Sequence, residues 1–315
     1  MLDLISVIIP NYNHAPFLKE RIESVLNQTY DNFEVIILDD NSSDNSREII
    51  EHYCGHSKIS HIIYNKTNSG STFRQWQKGF DLAKGNYIWI AESDDVAHPD
   101  FLQRLMCGIE SNPNVVLAFS NLKMIDRNGT PLATKHLSSY MPKPMVDGNY
   151  FIRHNMLFGC NILNASSAVF SRSAALSVPR DFMNYHGAGD YLFWIELARQ
   201  GNVFKDDGEL DYFRQHNLKV TPKAVSSGNQ FKEANRIFHR LDELGFINHY
   251  NRQIVAAFWL IRLDAEQDNI SSSDIYSECK SIWIKELRQP LFAKFQYYIN
   301  GLLRLIKKNY LGYAR

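Results

Sequence analysis

Cysteine is scarce in this 315-residue chain, and the four present, Cys54, Cys107, Cys160 and Cys279, lie far apart with no CxxC pair. This argues against a disulfide framework and a cysteine-based zinc site, and it fits a reducing cytosol. Long apolar runs are missing too. The longest, IVAAFWLI from Ile254 to Ile261, is 8 residues, against the roughly 20 that a bilayer-spanning helix needs. Neither sign of charge dominates: Lys plus Arg and Asp plus Glu each total 34. No global field therefore attracts nucleic acid, and any charged partner must be met by a local patch. The opening MLDLISVIIPNYN has no basic run and no small-residue cleavage site, so no signal peptide is expected. Neither GxGxxG nor GxxxxGKS occurs. Without such a loop, bound phosphate must be held by a metal or by side chains.

What is present is organised around YIWIAESDD, Tyr87 to Asp95, an apolar run that ends in Glu92, Asp94 and Asp95. The run suits a strand buried on both faces of a parallel sheet. In open α/β sheets the ligand crevice lies outside the carboxyl ends of the strands, so these acids face a ligand. Adjacent carboxylates repel unless a cation neutralises them, and oxygen ligands suit Mg²⁺ or Mn²⁺. A helix cap for the HPDFLQRL segment would need one acid, not three.

Apolar strands alternate with amphipathic helices over the first 121 residues: ISVII stopped by Pro10, FEVIIL ending in Asp39 and Asp40, HIIY, YIWIA, and VVLAFSN. That rhythm predicts a doubly wound α/β fold with a mostly parallel sheet, its strand ends at Pro10, Asp39 and Asp94 lining one crevice. From Leu122 the rhythm breaks. IDRNGTPL predicts a hairpin at Asn128-Gly129, followed by a Pro- and Ser-rich passage. In HGAGDYLFWIELARQG, Asp190 opens an apolar-faced helix, either as an N-cap or as a carboxylate delivered to the crevice rim, where it would take a proton. ELDYFRQH carries Arg214 and His216 to a strand end. From about Ser226 the pattern is helical. The segment after Pro290 has five basic residues, Lys294, Arg304, Lys307, Lys308 and Arg315, and no acid. An apolar face opposes the basic one, which suits either an anionic membrane surface or packing on the protein body.

Taken in order, SVIIPNYN, LDDNSSDNS, NSGSTFRQWQKGFDLAKGNYIWIAESDD and GDYLFWIELARQG resemble family 2 glycosyltransferases of the GT-A fold, over roughly residues 4 to 217. The resemblance implies a GT-A-type α/β domain over 1–225, with a nucleotide-binding half to about 121 and an acceptor half over 122–225. A helical C-terminal extension over 226–315 completes the expected organisation. It implies a nucleotide-sugar donor whose base lies near Tyr12 and Asp40, with Asp39 beside them and Pro10 at the crevice. Asp94 approaches the ribose, Asp95 coordinates Mg²⁺ or Mn²⁺ at the diphosphate, and Arg74 is a donor contact. His216 adds a contact to metal or diphosphate. Asp190 is the general base of an inverting transfer to a saccharide or lipid-linked saccharide acceptor, in bacterial surface polysaccharide assembly. A cytoplasmic protein is implied, with peripheral contact to the cytoplasmic membrane face through 291–315 as one alternative for the tail. Two departures stand out: Glu92 occupies the first acid of the usual DxDD, and Ala-Gly precedes Asp190 where many relatives carry an acid. A non-catalytic nucleotide-sugar binder and, less favoured, a nucleotidyltransferase remain as other classes.

Overall fold

The computed structural model describes residues 2–132, 141–216 and 220–287. The basic tail over 291–315 and part of the Pro- and Ser-rich passage lie outside them. Two compact units are formed. The first comprises the described residues of 1–151, 161–184 and 192–217; the second comprises those of 152–160, 185–191 and 218–315. The second unit takes in two excursions from the earlier chain, 152–160 and 185–191.

The first unit is built on one sheet. Its strands and helices run β1 (Ile5–Asn11), α1 (Ala15–Leu26), β2 (Phe33–Asp39), α2 (Ser46–Glu51), β3 (Ile59–Tyr64), α3 (Thr72–Leu82) and β4 (Tyr87–Ile90). There follow β5 (Val96–Ala97), α4 (Phe101–Glu110), β6 (Val115–Ile125), β7 (Met145–Asp147), α5 (Gly148–Phe151), β8 (Ala168–Ser171) and α6 (Arg172–Ser177). Helix α7 (Gly189–Ala198), which belongs to this unit from Leu192 onward, and strand β9 (Asn202–Arg214) come next. The strand order is β3-β2-β1-β4-β8-β6-β9-β5, with β7 also on β9. Pairing is parallel across β3, β2, β1 and β4 and between β6 and β9, and antiparallel where β8 joins β4 and β6.

Strand β1 is buried at every residue, as its β-branched composition requires, and it continues through Pro10 to Asn11. The expected stop at Pro10 fails for a local reason. β4 pairs with β1 only as far as Ile8↔Ile90, so the missing proline N–H falls past the end of that neighbour and breaks no ladder bond. The hairpin turn is present: Asp126 N–H donates to Thr130 O at 2.8 Å, and Gly129 takes φ +86°. Aromatics fill the sheet faces. Phe80 and Phe193 stack at 5.6 Å, Phe170 meets Trp194 at 5.5 Å, and Trp89 lies 4.6 Å from Phe101. Gly148 opens α5 where a Cβ would sit 1.7 Å from the Ala198 carbonyl oxygen.

The second unit is helical: α8 (Val220–Ser226), α9 (Asn229–Glu243), α10 (His249–Ala265) and α11 (Ser273–Ile284). Phe231, Ala234, Ile237, Phe238 and Leu241 form a buried stripe along α9 at helical spacing. Trp259 of α10 stacks on Trp283 of α11 at 5.7 Å, and the Trp283 indole N–H donates to Phe231 O at 3.2 Å. Among the described residues, no helix is long and apolar enough to cross a membrane.

Candidate active site

The carboxyl ends of β1, β2 and β4 carry the predicted residues, and each is placed differently by its hydrogen bonds. At the end of β2, Asp39 is buried and accepts from Asn11 Nδ2 at 2.8 Å, Ser42 Oγ at 2.6 Å and Ser42 N–H at 3.0 Å. Asp40, also buried, is more fully occupied. It accepts from Asn65 Nδ2 at 2.5 Å, Gln75 Nε2 at 3.0 Å, Ser69 Oγ at 2.7 Å and Ser69 N–H at 2.9 Å. A carboxylate offers about four acceptor positions, so Asp40 is committed to shaping the 65–71 loop while Asp39 keeps acceptor capacity. Tyr12 follows β1 with 48% of its surface exposed. Arg74 is exposed, and its Nη1 donates to Ser69 O at 3.4 Å.

After β4 the two aspartates part company. Asp94 faces His216, whose Nε2 lies 2.8 Å from Asp94 Oδ2. His14, at the start of α1, completes a group in which one ligand atom from each of His14, Asp94 and His216 lies within 4.8 Å of the others. The His14 Nδ1 is 2.9 Å from Ser93 Oγ, and its ring meets that of His216 edge-on at 5.5 Å. Burial lowers the pKa of His14, with the neighbouring His216 adding to the effect. Burial acts to raise Asp94, but the His216 hydrogen bond and the charges of both histidines outweigh it and hold the carboxyl below its usual range.

Asp95, expected to be the metal ligand, turns the other way. It is 1% exposed, and its carboxylate accepts from Asn164 Nδ2 at 2.7 Å, Ser166 Oγ at 2.7 Å and the Arg214 N–H at 3.0 Å. Arg21 lies 3.8 Å away, and Asn164 Nδ2 also donates to Asp211 at 2.8 Å. Burial, then the charge of Asp94, pushes Asp95 up to about 6, and burial with Asp95 raises Asp211. Two acids facing one guanidinium in a dry interior hold a proton between them more readily than two charges. The network works as a frame: Arg21 Nε donates to Glu92 O at 2.8 Å and Arg214 Nε to Asp94 O at 2.8 Å, so both guanidiniums grip the backbone of the acidic turn.

Glu92, in the position of the first family acid, accepts from Trp76 Nε1 at 2.9 Å. Burial and the charge of Asp94 push its carboxyl up to about 8. His14, Arg21, Asn164, Ser166 and Asp211 were missed in the sequence. Only His14 had a readable signal, a potential ligand in the loop after the first strand, on the edge where the acids gather.

The second unit holds Asp190 at the first turn of α7. The carboxylate Oδ1 accepts from the Tyr191 N–H at 2.7 Å. Burial pushes the carboxyl up to about 6 against the pull of the backbone N–H groups, and the charge of Glu233 adds to the rise. A carboxyl raised into this range can take up and release a proton near neutral pH.

A family model described as glycosyl transferase family 2 matches residues 6–175. TuaG of Bacillus subtilis (strain 168), a glycosyltransferase whose name assigns it to teichuronic acid biosynthesis, is 31% identical over 247 residues, 78% of this chain and 90% of that protein. An uncharacterized glycosyltransferase of Haemophilus influenzae is 25% identical over 96% of this chain and 90% of its own length. Among solved structures, S. aureus TarS 1-349 in complex with UDP-GlcNAc superposes with a TM-score of 0.65 at 15% identity, covering 94% of this chain and 92% of that one. The Pyrobaculum calidifontis mannosyltransferase PcManGT, with GDP-Man and Mn²⁺, does so at 0.54 and 15%, covering 96% and 86%. At such identities these two structures establish the fold, which is GT-A.

Proposed function

The chain belongs to glycosyl transferase family 2 and is a glycosyltransferase, and from that premise we propose that it transfers a sugar with inversion from a nucleoside diphosphate sugar to a hydroxyl of a saccharide or lipid-linked saccharide. The observation that carries the reading is the convergence of His14, Asp94 and His216 at the end of β4. Two imidazoles and one carboxylate fit a divalent cation, and the mixed nitrogen and oxygen set favours Mn²⁺ over Mg²⁺, which prefers oxygen and water. Asp94 thereby takes the metal-ligand role expected of Asp95. A cation held there would neutralise charge on the departing diphosphate.

The chain's own residues do the rest. Tyr12 offers an exposed aromatic face on which the base stacks, and Asp39 retains acceptor capacity for a base N–H. Arg21 and Arg214, both buried, hold the Asp94 turn so that its carboxylate need not reorganise as charge develops. Asp190 accepts the acceptor's hydroxyl proton as the oxygen attacks the anomeric carbon and the bond to the diphosphate breaks. The identity of TuaG favours a cell-envelope polysaccharide as the acceptor class, which would place the enzyme on the cytoplasmic side of the membrane.

The test is release of nucleoside diphosphate from UDP- and GDP-sugars by the purified protein with Mn²⁺, with Mg²⁺ and with chelator. Metal-dependent release that accelerates with acceptor is expected. Tight donor binding with no release under any condition would leave a non-catalytic binder. Release that ignores chelator would remove the metal from the mechanism.

A further inference from the structure

The turn that delivers Asp190 is held by a carboxylate from a distant helix. Glu233, an acidic side chain on α9, is only 4% exposed. Its Oε1 accepts from the His186 N–H at 2.6 Å, and its Oε2 from the Gly187 and Ala188 N–H groups at 3.0 and 2.9 Å. Three consecutive backbone donors thus converge on one side chain, immediately before the helix that carries Asp190. One turn further along α9, Arg236 lies over the Tyr185 ring at 4.0 Å, so the same helix grips the residue at the start of the turn. On the far side, the Tyr191 hydroxyl donates to Met156 O. Asp190 sits between these two anchors. A Cβ on Gly187 would stand 3.1 Å from the Ala224 Cβ of α8, so the turn packs closely there.

A carboxylate is the side chain this turn requires. Glutamine would offer one oxygen and turn an NH₂ donor toward backbone N–H groups, leaving at least one of the three donors without its partner. The negative charge also matters. Burial is the main cause of the raised Asp190 carboxyl and the Glu233 charge adds to it, while the His186 ring lies 3.5 Å from Glu233 Oε1. The residues immediately before Asp190, Ala188 and Gly189, carry no charge. The charge arrives from α9 instead.

We propose that Glu233 is a positioning residue for glycosyl transfer, fixing the turn that presents Asp190 and supplying the negative charge that the sequence beside Asp190 lacks. This rests on Asp190 being the general base. It also gives the helical unit a part in the chemistry beyond packing.

The experiment compares Glu233→Gln, Glu233→Asp and Asp190→Asn in the full-length protein, measuring kcat against pH, KM for acceptor, donor affinity and melting temperature. Glu233→Gln should lower kcat at least about tenfold with donor affinity unchanged, and should move the acid limb of kcat to lower pH, because the charge that raised the base's proton affinity is gone. Glu233→Asp keeps the charge but shortens the reach, so kcat should fall while the limb stays near its wild-type position. If Glu233→Gln does not fold, Glu233→Asp decides alone, and a wild-type kcat from it overturns the proposal. Loss of melting temperature with kcat and the acid limb unchanged also overturns it, leaving a purely structural acid. Near-normal transfer by Asp190→Asn removes the base and this role together. An inactive Asp190→Asn beside a wild-type Glu233→Gln defeats the Glu233 role and spares the base.

Discussion

Asp94 and His216 lie 122 positions apart in the chain, yet Oδ2 of one and Nε2 of the other are 2.8 Å apart. Asp95, the immediate neighbour of Asp94, is bound instead to Asn164, Ser166 and the Arg214 backbone. Adjacent acids therefore divide into one that faces the site and one that holds it up.

Substitution should separate these roles. Asp94→Ala is expected to keep the melting temperature of the metal-free protein and to lose stabilisation by nucleoside diphosphate plus Mn²⁺, which for a ligand at 100 times its dissociation constant is about 2.7 kcal/mol. Asp95→Ala should destabilise the fold itself by about 3 kcal/mol, since it strands Arg21 and Asn164 in the interior. Thermal melts with and without ligand measure both. The reverse pattern would return the metal to Asp95.

The pH profile follows from Asp190, whose carboxyl is pushed up to about 6. A general base works only when deprotonated, so kcat at saturating donor should rise roughly tenfold per pH unit below this value and level off above it. Donor affinity is followed in parallel, because Asp95 is also raised to about 6 beside the Asp94 site. A limb confined to donor affinity would point to the Asp94 turn rather than to the base.

Tyr12, with nearly half its surface exposed at the end of β1, should act by stacking. Base stacking on an aromatic contributes about 1–3 kcal/mol, so Tyr12→Ala should weaken donor binding about tenfold or more, and Tyr12→Phe should restore most of it. Calorimetry with the nucleoside diphosphate checks this. Equal affinity in Tyr12→Ala would place the base elsewhere.

Gly148→Ala tests the packing at α5. Its Cβ would collide with the Ala198 and Gly201 carbonyl oxygens, and rigid backbone cannot yield as a side-chain tip does. A loss on the order of 3 kcal/mol is expected from denaturant unfolding. An unchanged midpoint would mean that the α5 backbone shifts freely.

Much of the first unit was legible because its strands announce themselves. ISVII, FEVIIL and YIWIA are apolar runs closed by Pro10, Asp39 and the acidic turn, and local composition decides each. Strand β5 was not legible, since two residues carry no period. The insertion of β8 between β4 and β6 was equally hidden, because pairing partners are set by the sheet and not by the strand. The direction of each aspartate depended on Arg21 and Asn164, one in a helix and the other in a late loop. Glu233 was concealed among Phe231, Ala234 and Ile237, where a lone acid reads as solvated surface and its backbone partners lie 45 to 47 residues earlier.

The position of β8 also bears on how the protein is made. During synthesis β1 to β4 emerge as a self-consistent parallel block, but the strand that covers the free edge of β4 begins only at Ala168. Until then β4 presents unpaired N–H and C=O groups beside an apolar face, a template for pairing with another chain. Ribosome-arrested chains ending before Ala168 should accordingly remain protease-sensitive and bind chaperones, and those extended past Arg214 should become resistant. Early resistance would show that the parallel block closes without β8.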